Sequence, residues 1–143
     1  MIANRDSNCI FCKIIDGSIP ADKVYEDEHT LAFLDIRPTN VGHTLVIPKD
    51  HFENIYTTPD ETLCRLMISV RKIALAVKNA VDAEGINISM NNERPAGQLV
   101  FHTHIHIIPR FETDGFKSWG HTEYKDGEAE KVAEDIRISL KLD

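Results

Sequence analysis

The sequence predicts an α+β domain: a mainly antiparallel sheet of about five strands, one long helix, and short helices toward the ends. Three observations predict it. Short apolar segments follow one another with tight polar turns between them. One long stretch carries an apolar stripe of helical period. Segments 86–90 and 101–108 alternate apolar and polar residues, the two-residue period of half-buried strands.

Each element follows in order. Residues 10–15 are apolar enough for one or two helical turns, and Asp16-Gly17-Ser18-Ile19-Pro20 turns the chain. Residues 24–26 and 30–34 read as paired strands joined by Asp27-Glu28-His29. Arg37-Pro38-Thr39-Asn40 breaks the chain, because a residue before proline avoids the helical region. Residues 43–47 form a third strand between Gly42 and Pro48. The long helix starts at Thr58-Pro59-Asp60-Glu61, with Thr58 as cap, Pro59 at the first helical position and Glu61 closing a capping box. Leu63, Leu66, Met67, Val70, Ile73, Ala74, Val77 and Val81 supply its apolar stripe, and Gly85 is its expected stop. Residues 86–90 are a strand, 91–97 a polar loop, and 101–108 a strand ended by Pro109. A last helix spans about 128–140, with Val132, Ile136 and Leu140 on one face.

No repeat or linker divides the 143 residues, so one domain is expected over 1–143. A net charge of -7 disfavours binding to phosphate backbones, so no nucleic-acid partner is expected; a small anionic ligand stays possible at a locally positive site. Met1 to Asn8 lacks a secretion-signal core and no stretch is long enough to cross a bilayer. A cytoplasmic location with no membrane partner is the expectation. There the three cysteines stay reduced, and Cys9 and Cys12 at Cys-x-x-Cys spacing read as half of a tetrahedral metal site rather than as part of a disulfide framework. Cys64, on the long helix, reads as a packing residue.

The chemistry concentrates in residues 97–108. His102, His104 and His106 stand at alternate positions, so a strand puts them on one face and Phe101, Thr103, Ile105 and Ile107 on the other. Three solvated histidines on a strand are the bland reading, and three side by side on one face weigh against it. As a metal site they suit zinc. As catalysts they titrate near neutrality, and one ring nitrogen can attack while the other is held by a hydrogen bond. Spacing alone leaves the metal and catalytic readings level.

The stretch from Gly97-Gln98 through Val100-Phe101-His102-Thr103-His104-Ile105-His106-Ile107-Ile108-Pro109-Arg110 resembles the His-x-His-x-His signature of the histidine triad family. Asn8 to Ile15, Val24 to Asp27, Ala32 to Ile36 and Gly42 to Lys49 match in the same order, so the resemblance runs from about 8 to 110; the tail, 111–143, adds little. The family comprises nucleoside-phosphate hydrolases and transferases. The resemblance implies that His104 attacks the α-phosphorus of a nucleotide, forms a nucleotidyl–histidine intermediate, and that water then releases a nucleoside monophosphate. Phosphoramidates, aminoacyl adenylates and dinucleoside polyphosphates are the implied substrates. It further implies that His106 bonds the phosphate, that Gln98 and Asn91 contact it from the loop, that Asp35 binds the ribose hydroxyls, and that Phe11, Phe33 and Ile36 line the base pocket. Read from the residues alone, those three apolar side chains are core. A nucleotide-binding regulatory module with little turnover is the alternative.

One position departs from the pattern. Many relatives carry a small hydroxyl residue after the glutamine, and here it is Leu99, which donates no hydrogen bond. The zinc-bearing, bacterial-type branch of the family resembles this chain in its cysteine pair. Carried over, His51 and His102 complete a structural zinc site with Cys9 and Cys12, and one triad histidine binds metal while the next does chemistry. The resemblance also implies a homodimer. No role is assigned to His29, His43, His121 or Trp119.

Overall fold

In a computed structural model, which describes residues 4–141, the chain forms α1 (Ile10–Ile15), β1 (Lys23–Glu26), β2 (Thr30–Leu34), β3 (Thr44–Pro48), α2 (Asp60–Ala80), β4 (Gly85–Ser89), β5 (Ile105–Arg110) and α3 (Glu128–Leu140). Single 3-10 turns lie at Ile55–Thr57 and Arg94–Ala96. Residues 1–3, part of the stretch read for a secretion signal, lie outside the described residues. The sheet has the order β1-β2-β3-β5-β4 and every neighbouring pair is antiparallel, as the sequence predicts.

The two-residue period divides the sheet between two cores. Ala32, Val46, Ile105 and Ile107 face α2, where they meet Leu66, Val70, Ile73 and Val77. Leu31, Phe33, Leu45 and Ile47 face the other way and pack on Phe11, Cys12 and Ile14 of α1. Register keeps the faces in step: Ala32 pairs with Val46 and Val46 with Ile105, whereas Phe33 pairs with Leu45 and Leu45 with His106. Each large aliphatic side chain buried this way contributes about 1.5–3 kcal/mol. His106 therefore emerges on the α1 face of the sheet, opposite the long helix.

Four details differ from the sequence reading. Pro59, not Thr58, occupies the cap position of α2; Thr58 Oγ1 instead lies 2.7 Å from the Asn54 carbonyl and 2.7 Å from Thr103 Oγ1. The capping box forms one turn earlier, between Asn54 and Thr57, and Asp60 and Glu61 meet the positive end of the α2 dipole. Helix α2 stops at Ala80, Asp82 takes a left-handed φ of 51°, and Gly85 opens β4 rather than ending the helix. Cys64 is exposed on α2, so it is not a packing residue within this chain.

The largest difference concerns the histidines. Strand β5 begins at Ile105, so of the three only His106 lies on a strand. Residues 101–104 are drawn sideways: the Thr103 amide donates to the Phe52 carbonyl at 2.7 Å, and its hydroxyl meets Thr58. The strand also continues through Pro109 to Arg110. Its pairing with β3 ends at Ile107, and the Pro109 carbonyl accepts the Asn40 amide at 2.8 Å, so the missing N–H interrupts no ladder bond on that side.

Candidate active site and metal centre

The sideways turn at 101–104 sends His102 and His104 to different places. His102 is fully buried beside Cys9, Cys12 and His51. Cys9 and Cys12 come from the start of α1. His51 comes from the loop after β3, where the Asn4 side chain donates to its carbonyl at 2.7 Å and its own amide donates to the Asn4 carbonyl at 2.8 Å. The Cys9 sulfur lies 3.5 Å and the Cys12 sulfur 3.6 Å from His102 Nδ1; Cys12 Sγ lies 3.4 Å from His51 Nδ1, and the two Nδ1 atoms are 3.2 Å apart.

A tetrahedral ion with metal–sulfur bonds of about 2.3 Å and metal–nitrogen bonds of about 2.05 Å sets S···N near ~3.6 Å and N···N near ~3.3 Å. The four residues fit that tetrahedron and could hold a metal ion. The ring of His102 is committed to it: its Nε2 lies 2.9 Å from the Pro48 carbonyl, which accepts only, so the proton sits on Nε2 and the lone pair of Nδ1 faces the cluster. Burial above all pushes the His102 imidazole down to about 4, and burial likewise pushes the Cys12 thiol up.

His104 has the opposite tautomer for the same kind of reason. Its Nδ1 lies 2.6 Å from the backbone carbonyl of His102, so Nδ1 donates and Nε2 keeps a lone pair. Burial lowers its basicity, with the His102 carbonyl and Asp35 opposing. Phe11 packs edge-on against the ring at 5.3 Å between centroids and fixes its plane.

The third ring is set from further away. The amide of Thr39 donates to His43 Nδ1 at 3.0 Å, so the His43 proton sits on Nε2. His43 Nε2 lies 2.9 Å from His106 Nδ1 and donates to it. The His106 proton is thereby left on Nε2, and that atom is buried without a partner among the described residues. Burial, reinforced by His104 and His43, pushes His106 down to about 4, so the ring is neutral at pH 7. An orphaned N–H beside an imidazole with a free lone pair is a donor waiting for an acceptor from outside the chain.

Both histidines line a cavity of about 320 Å³, a size suited to a small ligand. Phe11 and Phe33, packed edge to face at 5.4 Å, form its floor. Ile36 lines it too but stands 89% exposed, at the mouth. Asp35 lines the cavity with one carboxylate oxygen accepting the Arg37 amide and the other 3.8 Å from His43 Nε2. Phe11 and Phe33 are thus core and cavity wall at once.

Gln98 and Asn91 stand apart from this cavity. The Gln98 side chain is buried in its own loop: Oε1 accepts the Glu93 amide at 2.8 Å, and Nε2 donates to the carbonyls of Glu53 at 2.7 Å and Val100 at 3.1 Å. Asn91 lies beside Gly97, whose left-handed φ of 93° makes the turn that glycine favours. Sequence reasoning left out His43, which the structure places behind the cavity, 2.9 Å from His106 Nδ1. Its signal was present: His43, Leu45 and Ile47 alternate on β3 and its approach, and the last two face the His106 side of the sheet.

Comparison with known proteins gives this arrangement a context. The HIT domain model matches residues 16–113. Protein hit of Bacillus subtilis (strain 168) is 50% identical over 137 residues, covering 93% of this chain and 94% of that one. Adenylylsulfatase HINT3 of Arabidopsis thaliana is 44% identical over 108 residues, covering 76% of this chain and 55% of that one. A crystal structure of a Zn-bound histidine triad family protein from Mycobacterium smegmatis superposes with a TM-score of 0.74 at 36% identity, covering 94% of this chain and 97% of that one. The family match takes in the whole sheet and both cavity histidines, and the chain belongs to the HIT domain family.

Proposed function

We infer that this protein hydrolyses nucleotide conjugates at the α-phosphate through a nucleotidyl–histidine intermediate on His104. The observation that carries this reading is the 2.6 Å contact from His104 Nδ1 to the His102 carbonyl, which leaves Nε2 with its lone pair on a ring that lines the cavity. The depressed basicity of the buried ring keeps that lone pair free of a proton at neutral pH. His104 Nε2 attacks phosphorus, and the bond to the leaving group breaks. The Nε2–H of His106, without a partner among the described residues, donates to a non-bridging oxygen where charge grows. Phe11, Phe33 and Ile36 hold the base, and Asp35 accepts from the ribose. Gln98 acts as a positioning residue by holding the 97–100 loop, with Asn91 behind it. Water then attacks phosphorus, and a nucleoside monophosphate leaves. The Arabidopsis relative, named an adenylylsulfatase, supports hydrolysis as the chemistry.

The four-residue cluster is read as a zinc site of Cys9, Cys12, His51 and His102, supported by the tetrahedral separations and by the Zn-bound relative. With four protein ligands it has no open position, so zinc there supplies structure. It ties the N-terminal segment, the loop after β3 and the approach to β5 together behind the nucleophile. A homodimer is also proposed: α3 buries none of its residues, and Met67, Ile68 and Leu75 are exposed on α2. No helix among the described residues is long and apolar enough to cross a membrane.

The test is to mix the protein with an adenosine 5′-phosphoramidate or anhydride, quench in acid at short times, and map the adduct by peptide mass spectrometry. An AMP group on His104 is expected. Product formation with the adduct on another residue, or with turnover intact in His104→Ala, overturns the reading.

A further inference from the structure

We propose that Cys9 and Cys12 are an oxidisable pair, which a hydroperoxide converts to a disulfide that takes the cluster apart and slackens the backbone holding His104. The oxidation stands apart from the nucleotidyl-transfer reading, and only its effect on turnover rests on that reading.

Three observations carry it. The first is that the two sulfurs can meet. Cys9 is the N-cap of α1 and Cys12 lies one turn along, with the Cys9 carbonyl accepting the Lys13 amide at 3.1 Å. A turn advances the chain by about 5.4 Å, inside the range of about 4.4–6.8 Å between Cα atoms that disulfides bridge. Both sulfurs belong to a group whose ligand atoms all lie within 4.8 Å of one another.

The second is that the two sulfurs are unequally held. Cys12 is 2% exposed, and its sulfur accepts the Asp6 amide at 3.4 Å and meets both His51 and His102. Cys9 is 9% exposed, and its sulfur meets His102 at 3.5 Å. Cys9 is thus the sulfur an oxidant reaches first, with Cys12 behind it to resolve the product.

The third is a mechanical link to the cavity. The ring of His102 belongs to the cluster, and its carbonyl lies 2.6 Å from His104 Nδ1. Two sulfurs on one tetrahedral ion stand about 3.8 Å apart and two bonded sulfurs about 2.05 Å apart, so the pair cannot close and keep both places. Closure leaves His51 and His102 as two imidazoles, too few for a closed zinc site. The His102 ring keeps its bond to the Pro48 carbonyl but loses its tether at Nδ1. Residues 101–104 then loosen, and the His104 ring loses its fixed direction.

The step balances. The Cys9 sulfur takes the terminal oxygen of a hydroperoxide ROOH as the O–O bond breaks and ROH leaves, which makes Cys9 a sulfenic acid. The Cys12 sulfur attacks the Cys9 sulfur, the S–O bond breaks, and the hydroxyl leaves as water. Each sulfur gives up one electron and the peroxide takes both. Two thiols and ROOH give a disulfide, ROH and water. Where the sulfurs hold a divalent ion, two protons come from the medium instead and the product includes the free ion.

The experiment treats the full chain, loaded with Zn²⁺, with hydrogen peroxide, beside Cys64→Ser, which replaces an exposed side chain away from both sites. Samples are alkylated without reductant and mapped by peptide mass spectrometry. Zinc release is followed with a chromogenic chelator, amide exchange by mass, and turnover by AMP release from adenosine 5′-phosphoramidate. A peptide lighter by two hydrogens and spanning Cys9 and Cys12 is expected in both proteins, in step with zinc release. Exchange at Thr103, whose N–H donates to Phe52, is expected to quicken. AMP release is expected to fall by about 10–100-fold, the size of a misplaced reacting group, and to return after a dithiol and Zn²⁺ are added. Cys9 and Cys12 that stay free through the peroxide, that pass to sulfonic acid without a disulfide, or that close while zinc stays bound overturn the proposal. So do unchanged exchange and turnover with the disulfide in place. A chain that forms the disulfide, frees zinc and quickens at Thr103 but never releases AMP overturns nucleotidyl transfer and leaves the oxidisable pair standing.

Discussion

The backbone carbonyl of His102 lies 2.6 Å from Nδ1 of His104, so the histidine whose own ring joins the Cys9, Cys12 and His51 cluster also orients the ring that lines the cavity. Two imidazoles two residues apart are thereby fixed in opposite tautomers by two carbonyls, those of Pro48 and His102. Their roles separate in mutants. His104→Ala is expected to lose at least about 10³-fold in turnover, as for removal of a nucleophile, while holding its metal. His102→Ala loses the metal first. Metal content by mass spectrometry beside AMP release checks both, and metal loss in His104→Ala would contradict the separation.

A relay reaches His106 from Thr39 through His43, and each hydrogen bond in it determines the next proton position. His43→Ala removes the donor to His106 Nδ1 and lets the His106 proton move to that atom, away from the cavity. The expected loss is about 10–100-fold in kcat with little change in KM, the size of a misdirected hydrogen bond in the transition state. His43→Asn, whose amide N–H can still donate, is expected to recover part of it. Equal damage from both substitutions would point to packing instead.

The sheet was legible because its residues obey local periods. The α2 stripe, the short apolar runs at 30–34 and 43–47 between turns, and the alternation at 86–90 and within 101–108 place the elements without long-range information. The site was legible in its residue types but not in its geometry. The sequence cannot show that Thr103 bonds Phe52 and Thr58, about 50 residues away, and that pairing is what splits His102 from His104. Nor does it show that the Gln98 amide turns inward to two carbonyls, since a glutamine in a polar loop is equally ready to face a ligand. The cap at Thr58 failed for a related reason: its hydroxyl was claimed by Asn54 and Thr103.

Buried neutral histidine makes stability depend on pH. His106 falls from 6.5 in the unfolded chain to about 4 in the fold, with burial the main cause. Between those values the unfolded chain binds the extra proton, so stability is full above about 6.5 and is lost as pH falls toward about 4. Below that range both states are protonated and this residue costs nothing more. The expected contribution is on the order of 2 kcal/mol, after allowing for water that still reaches the ring. Urea midpoints measured from pH 7 to 4.5 should fall more steeply in the parent than in His106→Gln. Parallel slopes would show that the ring is already charged in the fold.

The Cys9, Cys12, His51 and His102 cluster joins three segments distant in sequence, so breaking it should loosen all three. Cys12→Ser leaves a weak ligand in place of a sulfur that lies 3.4 Å from His51 and 3.6 Å from His102. Loss of bound zinc and a fall of roughly 10 °C in Tm are expected, from about 3–4 kcal/mol of lost stability at this size. A chelator should lower the parent to the same Tm and leave Cys12→Ser unchanged. A parent that carries no zinc and does not respond to chelator would remove the site from the account.

Gln98→Glu tests whether that side chain positions the loop or touches phosphate. The parent amide offers one acceptor to the Glu93 N–H and one NH₂ to the carbonyls of Glu53 and Val100. A carboxylate keeps the acceptor but points a second oxygen at two carbonyls, with no proton between them. Repulsion inside a buried pocket costs about 2–3 kcal/mol or more, and the loop that carries Leu99 and Val100 gives way. The expected result is a lower urea midpoint together with a raised KM, because the rim of the cavity moves. If Gln98 instead met the phosphate directly, the new charge would repel the substrate while the fold kept its stability. An unchanged midpoint with a large rise in KM would therefore favour direct contact, and a lower midpoint with a raised KM would favour positioning.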